Sequence, residues 1–241
     1  MKPSKTRGKI SEVFASIQGE GLHVGTMQLF VRLAAVAEGQ AEEPTFVIRT
    51  LPGSRNHFAR NPVTPLRFFQ LLSETFELDR FFTISFIGEE PLQQTDFLCE
   101  LLQILKKNHI DTFVQTAGAP LADFERLNQL VTRWCIDLKY FQEKNCSRCH
   151  KNLEKIIAVT SPETTYFRLA IDADDDPTKL LAMLETMQID DYTLVLQPCA
   201  IFPAHISDWD TGNIIDWIQL FRPFFQQVRW IPQVHKLLRI L

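Results

Sequence analysis

No cysteine precedes Cys99 in this chain of 241 residues, and the five present form neither an even set nor a disulfide-like pattern. Such usage fits a reducing compartment better than a disulfide scaffold. Long apolar runs are also missing: none approaches the roughly 18 residues of a membrane span. The basic start Met1-Lys2-Pro3-Ser4-Lys5-Thr6-Arg7 is followed by no apolar signal core, which argues against secretion and for the cytoplasm. There is no excess of positive charge. Lys and Arg number 25 against 29 Asp and Glu, for a net charge of −4 and a pI near 5.9. That balance argues against non-specific binding to nucleic-acid phosphates.

With 45% hydrophobic residues, the chain is long enough for one large α/β domain, close to the roughly 250 residues typical of a barrel. Its most informative stretch is Ile10 to Leu33, ISEVFASIQGEGLHVGTMQLFVRL. At its centre Gln18-Gly19-Glu20-Gly21 forms a polar island between an apolar and a β-rich run. Glycines on both sides of Glu20 permit a tight turn or close approach to a ligand. A carboxylate held there could accept paired hydrogen bonds from a planar N–C–N edge, such as a pterin or guanine presents. Arg32 lies within the strand-like Gln28 to Leu33 and suits a carboxylate. A solvated turn and an edge-strand arginine explain the same spacing.

From Thr64 the alternation becomes regular. Helices are expected over Leu66 to Phe76, from Asp96 as cap to about Asn108, over Leu121 to Val131, from Pro177 to about Gln188, and over Ile214 to Phe225. Leu153 to Val159 forms a further segment. Strands are expected over Thr45 to Arg49, Phe81 to Ile87, Ile110 to Thr116, Trp134 to Leu138, Tyr166 to Ile171, Tyr192 to Leu196 and Val228 to Ile231. Such alternation predicts a parallel sheet with right-handed crossovers and ligands at the strands' carboxyl ends. Gly88-Glu89-Glu90, Gln115-Thr116-Ala117-Gly118, Asp137-Leu138-Lys139 and Gln197-Pro198 all stand at such ends. Polar residues at any strand rim would account for each of them separately.

SEVFASIQGEG followed by FVRL resembles the opening of the 7-carboxy-7-deazaguanine synthases, radical S-adenosylmethionine enzymes of the queuosine and deazapurine pathway. Ile84 to Leu92 resembles that family's glycine-glycine-glutamate-proline cofactor segment. Asp137-Leu138-Lys139, Asn152-Leu153-Glu154 and the tail Val228 to Lys236 follow in the family's order. The resemblance implies one α/β domain over residues 1–241, a partial or complete parallel β/α barrel of radical-SAM type. It also implies a homodimer and a small pterin- or deazapurine-like ligand. The substrate set carried over is Gln18, Glu20, Gly21, Arg32, Gln233, His235 and Lys236, with Arg32 and Lys236 on a carboxylate and His235 on a ring atom.

The departures fall on the other side of the pocket. The family follows FVRL with a CxxxCxxC-type run that holds a four-iron cluster. Here Ala34 to Pro44 carries no cysteine, and alanine, glutamate and glutamine are poor substitutes for thiolates. Residues 34–63 therefore read as a remodelled former cluster loop. Glu89 replaces a cofactor-binding glycine, so Gly88, Glu89, Glu90 and Thr116 form a degenerate cofactor segment, and Gln115-Thr116-Ala117-Gly118 replaces a Glu-Thr-Asn-Gly pattern. Cys146-Ser147-Arg148-Cys149-His150 matches a haem attachment pattern that needs export. A zinc site there would need two further ligands from Cys135, Cys199 or His205, so Cys146 and Cys149 read as structural. Neither the cluster nor S-adenosylmethionine, the family's cofactors, is expected. The reading is a pseudoenzyme or binding protein of this type; the alternative is an active lyase with relocated metal ligands. Protein purified and reconstituted anaerobically is expected to hold no stoichiometric iron and acid-labile sulfide. Iron that survives loss of Cys146 and Cys149 but not of Cys135 or Cys199 would show that the ligands had moved within the barrel.

Overall fold

The structure is a computed structural model that describes residues 5–35, 43–50, 56–118, 120–138, 147–172, 175–199 and 211–238; for residues 147–149 it describes the backbone alone. Residues 36–42 and 51–55 of the segment read as a former cluster loop, together with Lys139, Cys146 and His205, thus lie outside the described residues. The chain divides into two compact units, Met1–Ile17 with Thr26–Trp134, and Gln18–Gly25 with Cys135–Leu241. Among the described residues no helix is long and apolar enough to cross a membrane.

The first unit contains β1 (Ile10–Ile17), β2 (Met27–Leu33), β3 (Thr45–Arg49), β4 (His57–Arg60), α1 (Pro65–Thr75), β5 (Thr83–Gly88), α2 (Thr95–Lys107), β6 (Thr112–Thr116) and α3 (Leu121–Asn128). Its strands run in the order β6-β5-β2-β1-β3-β4. The parallel expectation holds for β2, β5 and β6. It fails at one end, where β1 is antiparallel to β2 and β4 antiparallel to β3. Leu29, Val31, Ile84 and Phe86 are fully buried, as strands covered on both faces should be. Phe68 of α1 packs between Phe46 and Phe97 at centroid distances of 5.9 and 6.0 Å. Each such side chain contributes roughly 1.5–3 kcal/mol through burial.

Two local expectations need correction. Gln94, not Asp96, occupies the cap position of α2. Asp96 instead sits in the first turn, where its charge still favours the helix N-terminus, and its carboxylate pairs with Arg126. The helix expected to reach Val131 ends at Asn128. Strand β4 was not expected, because HFAR has no buried face: Phe58 is 69% exposed.

The second unit contains β7 (Arg133–Asp137, from Cys135 onward), α4 (Ser147–Val159), β8 (Thr165–Ile171), α5 (Thr178–Leu184), β9 (Thr193–Pro198), α6 (Thr211–Phe221), β10 (Gln227–Trp230) and α7 (Val234–Leu238). Strands β8, β9 and β10 are parallel, with Arg168 beside Val195 and Ala170 beside Gln197. Period-two alternation then gives the sheet two unlike faces. Phe167, Leu169, Ile171, Leu194 and Leu196 line the apolar face. Tyr166, Arg168 and Gln197 stand on the other. Helix α4 begins well before Leu153, while α5 and α6 stop short of Gln188 and Phe225.

Gly88 ends β5 with φ of +141°, and a Cβ there would stand 2.6 Å from the Leu33 carbonyl oxygen. This backbone constraint alone requires glycine. Gly88→Ala is expected to destabilise the protein by about 2 kcal/mol or more, read as a lowered midpoint in urea denaturation.

Candidate functional site

The loop Gln18–Gly25 between β1 and β2 belongs to the second unit, and close approach there explains both of its first glycines. A Cβ on Gly19 would lie 2.5 Å from Cβ of His235, and one on Gly21 2.0 Å from the Tyr166 hydroxyl oxygen. Gly21 also has φ of +64°. Buried Gln18 folds the loop: its side-chain carbonyl accepts from the Glu20 N–H at 3.1 Å and its backbone carbonyl from the Gly25 N–H at 2.8 Å. The Gly19 carbonyl accepts from the Val234 N–H at 2.8 Å, which ties the start of α7 to the loop.

This framework presents the Glu20 carboxylate to three side chains. Oε2 accepts from Arg168 Nη1 at 2.9 Å, Oε1 accepts from Gln233 Nε2 at 3.0 Å, and His235 Nδ1 lies 3.8 Å from Oε1. Arg168 Nη2 donates in turn to Asp137, so one guanidinium joins two carboxylates. Burial pulls the Arg168 pKa down, but the charge of Asp137, then of Cys135 and Glu20, outweighs it and the net shift is upward. Burial pushes the neighbouring Cys135 thiol, hydrogen-bonded to Tyr166, up to about 12. A thiol so shifted is a poor nucleophile and metal ligand at neutral pH.

The two bonds to Glu20 are unequal. Hydrogen bonds to charged groups contribute about 1.5–3 kcal/mol, whereas a buried acceptor without a partner costs about 1–3 kcal/mol. Arg168 holds both its carboxylates, but the buried Oε1 of Gln233 finds no hydrogen-bond partner among the described residues. That offsets part of the Gln233 contact, whereas Arg168 brings a full charge to two carboxylates.

Of the substrate set, Gln18, Glu20, Gly21, Gln233 and His235 converge in the second unit. Lys236 Nζ donates to the Cys199 carbonyl at 3.2 Å. Arg32 belongs to the first unit, where its Nε donates to Glu12 at 2.8 Å and Arg49 approaches the same carboxylate at 3.5 Å. Sequence reasoning missed Arg168 and Tyr166, and placed Asp137 only at a strand end. The signal for Arg168 was available: a lone arginine in the apolar run TYFRLAI, the same cue that drew attention to Arg32.

The cofactor segment lies in the first unit and is internally satisfied. Glu90 Oε1 accepts from Thr116 Oγ1 at 2.5 Å and the Leu92 N–H at 3.0 Å, and Oε2 accepts from the Ala117 N–H at 2.9 Å. Thr116 Oγ1 also accepts from the Gly118 N–H at 2.9 Å. Glu89 is exposed. The donors offered by residues 34–44, alanine, glutamate and glutamine without a thiol, do not fit a four-iron cluster. Among the described residues no three His, Cys, Asp or Glu side chains group as metal ligands.

No family model matches the chain. A 7-carboxy-7-deazaguanine synthase of Geobacter sulfurreducens is 24% identical over 97% of this chain and 98% of its own length. One of Archaeoglobus fulgidus is 25% identical over 97% and 99%, and one of Methanothermobacter thermautotrophicus 35% identical over 55% and 50%. The crystal structure of QueE from Escherichia coli shares the fold, with a TM-score of 0.54 and 16% identity over 95% of each chain. This chain is similar over nearly its whole length to 7-carboxy-7-deazaguanine synthases. It shares an α/β fold with the QueE structure, and no cysteine precedes Cys99. Arg168→Met would take the guanidinium away from Glu20 and Asp137, whose side chains are 22% and 21% exposed. Partial exposure softens the full penalty of a broken buried pair, so a loss of about 2–3 kcal/mol is expected in chemical denaturation, with Arg168→Lys retaining part of it.

Proposed function

We propose that this chain is a ligand-binding member of the 7-carboxy-7-deazaguanine synthase family that recognises a planar pterin- or deazapurine-like molecule and does not carry out radical chemistry. The observation that carries this reading is the contrast between two glutamates. Glu20 stands on a glycine-flanked loop, held by side chains and still able to accept, because a carboxylate offers about four lone-pair sites. Glu90 is engaged by a hydroxyl and two backbone N–H groups of its own surroundings, and residues 34–44 contain no thiol donor. The names of the relatives supply the ligand class, a deazapurine. Binding without turnover suits a regulatory or partner role.

Calorimetry with 7-carboxy-7-deazaguanine, tetrahydropterin carboxylates and guanine nucleotides tests the reading. At least one is expected to bind with a Kd below millimolar, and Glu20→Ala to weaken it at least about tenfold. Absence of binding, or unchanged affinity in Glu20→Ala, would make these residues a relic of ancestry. Turnover by reconstituted protein would instead support the lyase with relocated ligands.

A further inference from the structure

We infer that Gln233 is an internal stand-in for the ligand's donor edge, occupying Glu20 until a ligand displaces it; this rests on the ligand-binding reading above. An amide N–H at 3.0 Å from Glu20 Oε1 is the same donor chemistry that a guanine-type N–C–N edge would bring to that oxygen. The stand-in is imperfect, because its own carbonyl Oε1 is buried without a hydrogen-bond partner among the described residues. A ligand that takes Oε1 releases that carbonyl to turn towards solvent or towards a donor on the ligand. The other half of Glu20 does not exchange: Oε2 is held by Arg168, itself fixed by Asp137.

The position of Gln233 suits a movable group. It precedes the five-residue helix α7 and is half-buried. Its backbone carbonyl accepts from the N–H groups of Lys236 and Leu237 at 3.1 and 3.4 Å, and the neighbouring Val234 N–H holds Gly19. The side chain can therefore swing while the backbone stays anchored. The occupant that fits has adjacent N–H donors and no anionic group at that edge, since Glu20 and Asp137 together outnumber the one guanidinium between them.

A self-occupied site binds with an affinity reduced by the fraction that is open. Removing the stand-in should thus tighten binding, the opposite of removing a direct contact. Wild type, Gln233→Leu, Gln233→Ala and Glu20→Ala are titrated with 7-carboxy-7-deazaguanine, with thermal melts to confirm that each is folded. Both Gln233 variants are expected to bind at least about threefold tighter, and Glu20→Ala about tenfold weaker. Equal or weaker binding by the Gln233 variants, with Glu20→Ala still impaired, overturns the stand-in and leaves the ligand-binding reading intact. No binding by any of the four overturns that reading and the stand-in with it.

Discussion

The guanidinium of Arg168 sits between Asp137 and Glu20, and the arrangement of the second unit around the candidate site depends on it. An arginine can serve two carboxylates because its donors form a rigid fork of fixed charge. For Glu20 to reach that fork, its loop must run close against the side chain of Tyr166 and the start of α7. A Cβ at Gly19 or Gly21 would prevent this. The glycine pair, the buried Gln18 and the Gly19 bond to Val234 are thus consequences of bringing one carboxylate to one strand. Two carboxylates against one guanidinium leave the site rich in acceptors. That edge of the site suits hydrogen-bond donors.

The fold was legible wherever an element had one buried face and enough length to show its period. Helices α1 and α2 and strands β5, β6, β8 and β9 appear within a few residues of where the apolar spacing placed them. Strand β4 was hidden because pairing alone holds it, and α7 because five residues cannot display a helical period. Antiparallel pairing of β1 with β2 was equally invisible, since a long connecting loop with its own partners replaces the short turn that would have announced a hairpin. The family resemblance singled out the loop that carries Glu20 but not its partner Arg168. Glu20 was read as an open acceptor, whereas it already holds Arg168 and Gln233.

Retained motif residues carry less functional weight than their retention suggests. Gly88 survives from the cofactor segment, yet its φ and its contact with the Leu33 carbonyl require glycine whatever binds nearby. Glu90 survives too, and its carboxylate is used by Thr116 and Ala117 at the end of β6 and by the Leu92 N–H in the turn that follows Glu90. These residues are explained by the packing of the first unit alone.

Glu20 differs from Glu90 in the kind of donor it receives. Glu90 is held by backbone N–H groups and a hydroxyl, which sit where the fold puts them and do not move away without local unfolding. Glu20 is held by side chains, and side chains change rotamer on short timescales without disturbing the backbone. A carboxylate braced on one oxygen by a fixed charge and covered on the other by a movable amide is both preorganised and exchangeable. That combination distinguishes Glu20 from Glu90.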